Sequence, residues 1–168
     1  EPYHREPITY EAPYLDNLPT APREKFAANI AAIQKLKEIE QRVANGGSPA
    51  FEDEQRILAQ YTGWGGLSDA FDPNKSTWSN EYSQLKAALS ESEYEAARSS
   101  TLTAFYTPAT VIHPIYRALE RFGVKGGKIL EPSMGTGAFL AHGHFGSSDA
   151  KFYGVELDSI TGRISKQL

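Results

Sequence analysis

Two acids and a pair of glycines are the residues of this sequence best spaced for ligand chemistry. Glu131-Pro132-Ser133-Met134-Gly135-Thr136-Gly137 follows a short apolar run, and Glu156 stands 19 positions after Gly137. Where a strand feeds a helix through a glycine-rich turn, bare backbone can approach a cofactor, and an acid roughly 20 residues on can hold ribose hydroxyls. A dinucleotide fingerprint requires a further glycine three positions after the second, where this chain has Leu140. A phosphate-binding P-loop requires Gly-x-x-x-x-Gly-Lys-Ser/Thr, yet around Gly127-Lys128 the first glycine position holds Phe122, and Ile129 follows the lysine. Glu131 at the head of the turn suits neither pyrophosphate. It suits a cationic ammonium, such as the methionyl amine of S-adenosylmethionine.

The remaining composition narrows the chemistry. There is no cysteine, so disulfides and thiolate metal sites are excluded. Of His4, His113, His142 and His144, only the last two are close in sequence. An H-x-H pair in a glycine-rich loop can ligate a metal, but no carboxylate with zinc-ligand spacing accompanies it, and a solvated loop is the plainer reading. No metal site is expected. The net charge of −4 is opposite in sign to the footprint of most nucleic-acid binders, so tight DNA binding by this chain alone is not expected. No apolar run approaches the roughly 18 residues that span a bilayer, and the opening residues are not signal-like, so a cytoplasmic location and no membrane partner are expected.

Three regions position these residues. Residues 1–22 interleave Pro2, Pro7, Pro13, Pro19 and Pro22 with Tyr3, Tyr10 and Tyr14, a composition that predicts an extended arm. Residues 23–100 predict helices. Phe26, Ile30, Ile33, Leu36 and Val43 recur at helical spacing up to Asn45-Gly46-Gly47, and Ser48-Pro49 opens a second helix to about Gln60, with Phe51, Ile57 and Leu58 inward. Tyr61 to Leu67 sets three glycines around Trp64, as in a packing turn or a close approach to a ligand. Residues 68–79 read as loop, followed by short helices near 80–89 and 91–99, the second announced by the capping-box pair Ser90 and Glu93. In residues 101–168 helix and strand alternate: Thr107 caps a helix with Val111, Ile112, Ile115, Leu119 and Phe122 apolar, and strands follow at 128–131 and 151–157. Strand, glycine-rich turn, helix and strand predict an α/β fold, the start of a doubly wound Rossmann-like sheet after a helical N-terminal region.

The Glu131-to-Phe139 segment resembles the S-adenosylmethionine-binding first motif of N6-adenine DNA methyltransferases. Ala104-Phe105-Tyr106-Thr107-Pro108 is similar to the F-Y-T-P element that opens the fold of such enzymes, and Tyr153 to Asp158 is similar to their second motif. The Tyr61-to-Leu67 element resembles the methylase-like front regions of large phage and mobile-element proteins that continue into a helicase. The resemblance implies S-adenosylmethionine as cofactor, with Glu131 at its ammonium and Pro132, Ser133, Gly135 and Gly137 forming the turn close to it. It implies Glu156 at the ribose hydroxyls and Tyr106, Thr107 and Pro108 at the methionyl end. Each residue also has a plainer reading as a strand-end acid, a helix cap or a solvated terminus.

The Asp/Asn/Ser-Pro-Pro-aromatic tetrapeptide that takes the target base in that family does not occur here, so no catalytic residue is assigned. The resemblance implies a cofactor-binding part of a DNA adenine methyltransferase, inactive alone, with DNA as partner of the full-length protein and a helicase region in the same polypeptide. The alternatives are a non-catalytic methylase-like module or a helical interaction module within a larger DNA-processing protein.

Overall fold

A computed structural model describes residues 17–143 and 150–168. Most of the expected arm, including Tyr3, Tyr10 and Tyr14, lies outside the described residues, as does His144 of the H-x-H pair.

Helix α1 (Pro22–Ala44) begins with proline, whose missing N–H is no loss in the first turn. Phe26, Ile30, Ile33, Leu36 and Ile39 recur every three or four residues and are buried along one stripe, while Val43, expected on that stripe, is exposed. Helix α2 (Glu52–Leu58) is shorter than expected; Leu58 faces inward and Ile57 does not. Glu54 turns inward instead because Arg42 donates to both of its carboxylate oxygens, at 2.7 and 2.6 Å. Two single 3-10 turns, Ser68–Phe71 and Ser76–Trp78, occupy the predicted loop before α3 (Ser79–Ala88) and α4 (Glu91–Ser100). The capping box at α4 forms as expected, with Glu93 N donating to Ser90 Oγ and Ser90 N to the Glu93 carboxylate.

These helices enclose an aromatic core centred on Trp64. Its ring meets Phe71 edge-on at 5.3 Å between centroids, Phe26 at 6.2 Å and Tyr61 at 6.3 Å. The turn that carries Trp64 is held by Asn29 from α1. This fully buried side chain donates to Gly63 O at 2.7 Å and accepts from Thr62 N at 2.9 Å. A buried amide that satisfies two backbone groups fixes the turn's position, because losing it would strand both.

The second half comprises α5 (Ala109–Arg121), β1 (Gly127–Glu131), α6 (Ala138–Ala141), β2 (Ala150–Gly154) and α7 (Ser159–Ser165). The strands pair in parallel, from Gly127 opposite Ala150 to Glu131 opposite Gly154. Pro108, not Thr107, is the cap of α5, and no side-chain hydrogen bond closes it. Ile112 and Tyr116 are the buried residues of that helix, whereas Val111, Ile115 and Phe122 are exposed. With Ile129, Phe139 and Phe152 they form a small second core.

The doubly wound Rossmann-like sheet expected from the sequence is not what the structure contains. It is mostly helical, at 55%, with a two-stranded sheet among the described residues. The alternation of elements specifies one β-α-β unit and its crossover, and nothing in that pattern encodes a third strand. Helices α5 and α6 cover one face of the pair through Ile129 and Phe152, while Leu130 and Tyr153 on the other face stay exposed. Among the described residues no helix is long and apolar enough to cross a membrane.

Helix α7 locks the β-α-β unit to the helices. Ile160 and Ile164 enter the Trp64 core, and Arg163 donates to both oxygens of Glu40 on α1, at 2.7 and 2.6 Å, and to Glu93 on α4 at 2.7 Å. Burial alone would raise the pKa of Glu93. The Ser90 amide, the Arg163 guanidinium and the Lys37 ammonium outweigh it and hold the value at about 2, against an ordinary 4.5. A depressed folded-state pKa stabilises the fold fully above the unfolded value and is lost as pH falls through the folded one. Denaturant titrations between pH 6 and about pH 2 are therefore expected to show a fall in stability beginning near pH 4.5, smaller in Glu93→Gln than in the parent chain.

Candidate functional site

Beyond the carboxyl ends of β1 and β2 lies a cavity of about 400 Å³, within the range of small-molecule sites. One wall is the glycine-rich turn, with Ser133, Met134, Gly135 and Thr136; another is the segment Ala104 to Thr107; the floor is Glu156, Leu157 and Asp158. The fourth wall comes from α4, whose Ala96, Ser99 and Ser100, with Thr103 beyond its end, line the space.

Tyr106 holds these walls together. A Cβ at Gly63, from the Trp64 turn, would stand 3.3 Å from the Tyr106 ring, and one at Gly135 would stand 3.1 Å from it. The ring therefore fits between two backbones that lack side chains, both at positive φ, +68° and +57°. Its hydroxyl reaches Thr161 Oγ1 at 3.5 Å, and that hydroxyl donates to Asp158 Oδ1 at 2.7 Å. Burial, with the Glu156 and Asp158 carboxylates adding to it, pushes the Tyr106 pKa up, and burial does the same to Tyr61, so both phenols stay neutral.

Glu156 is fixed from two sides. Oε2 accepts from Gly135 N at 2.9 Å and Oε1 from Asp158 N at 2.8 Å. A carboxylate has about four acceptor sites, so one on each oxygen remains for a ligand. Among the described residues two acids and no cation line the cavity, while Phe105 and Leu157, 65% and 98% exposed, offer apolar surface beside them. Such a cavity suits a ligand with a flat apolar ring, a diol and a positive charge. The residues present thus fit an adenosyl sulfonium compound.

Of the residues singled out in the sequence, Tyr106, Thr107, Ser133, Gly135 and Glu156 line this cavity together. Pro108 lines an adjoining one. Glu131, Pro132 and Gly137 line neither; Glu131 accepts from Ser133 N at 3.0 Å, and Gly137 caps α6. At Gly135 the space that a Cβ would fill is taken by Tyr106. The α4 wall went unnoticed, although Ala96, Ser99, Ser100 and Thr103 recur at i, i+3, i+4 and i+7, a face of small residues that could have been read. Asp158 was passed over as well; it also caps α7 by accepting from Thr161 N at 2.7 Å. Among the described residues no group of three metal-ligating side chains converges.

Fold and site together define a helical protein with one β-α-β unit whose strand ends face an acidic cavity. No family model matches the chain, and no solved structure matches it. It is 27% identical over 165 residues to "Defense against restriction protein B" of Escherichia phage P1, a similarity that covers 98% of this chain and 6% of that protein. The chain thus spans a small fraction of the length of the curated relative it matches. These findings correct the resemblance to N6-adenine DNA methyltransferases, and with it the expected DNA adenine methylation, because no model of that family matches. The structure gives a physical reason. The elements that carried the resemblance have structural work to do in this chain: Gly135 clears Tyr106, Glu156 braces the turn, and Pro108 starts α5.

The Tyr106 clamp is open to test. Alanine at Gly135 adds crowding against the ring to the cost of a left-handed backbone, whereas alanine at Gly123, φ +86° with open space around it, incurs the backbone cost alone. Equilibrium unfolding is expected to place Gly123→Ala about 1–2 kcal/mol below the parent chain and Gly135→Ala lower by about 1 kcal/mol more.

Proposed function

We propose that this chain is the S-adenosylmethionine-binding module of a much larger protein that serves in defence against restriction, the role for which its phage P1 relative is named. The observation that supports this most is the braced Glu156 carboxylate, which keeps acceptor capacity toward an acid-lined cavity at the strand ends. In this reading Glu156 accepts from the ribose hydroxyls, Leu157 and Phe105 lie against the adenine, and Asp158 faces the cationic end. Tyr106 and Thr107 close the cavity, Ser133 offers it a hydroxyl, and α4 keeps bulk water from the opposite side. The cofactor itself supplies an activated methyl group on a sulfonium. The chain's own residues bind and orient it.

Calorimetric titration of S-adenosylmethionine and S-adenosylhomocysteine into the folded chain tests the reading. Both are expected to bind, with Glu156→Ala weakening each by about tenfold or more, as expected for loss of a charged hydrogen-bond acceptor. Absence of binding to the folded parent chain would overturn it.

A further inference from the structure

A second cavity, of about 330 Å³, adjoins the first and shares Phe105, Tyr106, Thr107, Thr136 and Ala138 with it. Its character is opposite. Among the described residues its only charged lining side chain is Lys25 of α1, and Thr20, Thr62, Thr107, Thr136 and His142 line it as well. We infer that this cavity is a binding site for a small oxyanion, a carboxylate or phosphate group, received by Lys25 and the surrounding threonine hydroxyls.

Three observations support this. Lys25 donates one hydrogen bond, to Gly65 O at 2.8 Å, and an ammonium has three donors. No ion pair within 4.0 Å neutralises it among the described residues, in contrast to Lys37, Arg42 and Arg163, each of which meets a glutamate. Burial also lowers its pKa, which means the charged form lacks solvation that an anion in the cavity would restore. Thr20, Thr107 and Thr136 add hydroxyls that adapt by rotation, while Thr62 Oγ1 donates to Asn29 Oδ1 at 3.5 Å. Two adjoining cavities of opposite sign are complementary to a zwitterion spread across both. One source of the oxyanion is therefore the carboxylate at the amino-acid end of the cofactor, a source that rests on the cofactor reading; the other is a phosphate, which does not.

The test is to titrate S-adenosylmethionine, its decarboxylated analogue and inorganic phosphate into the folded chain and into Lys25→Gln, with Lys25→Arg as the charge-preserving control. If the anion is the cofactor carboxylate, Lys25→Gln weakens S-adenosylmethionine binding by about tenfold or more, leaves the decarboxylated analogue bound as before, and Lys25→Arg restores most of the loss. If it is phosphate, the parent chain binds inorganic phosphate, Lys25→Gln does not, and S-adenosylmethionine binds both alike. Identical behaviour of parent and variant toward all three ligands overturns the oxyanion site while leaving the cofactor reading standing. Phosphate binding through Lys25 with no adenosyl ligand bound at all does the reverse. Should Lys25→Gln fail to fold, the Lys25 ammonium is followed by NMR in the parent chain: an upward pKa shift on adding the ligands supports the site, and an unchanged pKa overturns it.

Discussion

The ring of Tyr106 packs between the backbones of Gly63 and Gly135, and the relation between the two halves of this chain turns on that contact. Gly63 belongs to the Trp64 turn, which Asn29 fastens to α1; Gly135 belongs to the turn leaving β1. A Cβ at either position would stand 3.3 or 3.1 Å from the ring, so the ring would have to give by a few tenths of an ångström on top of the cost of the left-handed backbone. The hydroxyl end of the ring is tied in turn through Thr161 to Asp158, so the second strand end is set by the same side chain. Helix α7 closes the circuit, since Arg163 joins it to α1 and α4 through Glu40 and Glu93. The site is therefore built by the helical region as much as by the β-α-β unit.

Electrostatics then sets apart the two cavities that share Tyr106. The one bounded by the strand ends carries Glu156 and Asp158 and attracts hydroxyls and cations; the one bounded by α1 carries Lys25 and attracts anions. The shared tyrosine is held neutral by burial and by its acidic neighbours, so it adds no charge of its own to either. Backbone donors orient Glu156, which spares the carboxylate the entropy of finding its position when a ligand arrives.

Local patterns in the sequence were legible wherever short-range physics decides structure. The 3.6-residue stripe of α1, the Ser90–Glu93 capping box and the strand, turn and acid from Lys128 to Glu156 are all set by neighbours within a few turns of chain. Ser133, Gly135 and Glu156 meet in one cavity for the same reason, because a β-α-β crossover brings its turn and its second strand end together, whereas Tyr106 and Thr107 reach it by packing against the helical region. What was not legible depends on contacts far apart in the chain. The number of strands in the sheet is not written in the first two, and the family resemblance rested on a turn and an acid that this chain also uses to brace itself. The α4 wall and the Lys25 cavity arise from packing between residues separated by tens of positions, and a single threonine or lysine carries no mark of such a neighbour. Of the two roles the Tyr61-to-Leu67 glycines allow, Trp64 packs at the centre of the aromatic core, and Tyr61, Gly63 and Trp64 also line the cavity.

An adenosyl ligand held in the proposed cavity would touch both α4 and the β-α-β unit. The most direct measurement is the set of backbone amide shifts of the isotope-labelled chain during addition of S-adenosylhomocysteine. Saturating movement of Ser99, Ser100, Gly135 and Asp158 with a common affinity, while Gly46 at the far end of α1 stays still, is the predicted result. A folded chain whose spectrum does not change, or in which Gly135 and Asp158 move and α4 is silent, would contradict it.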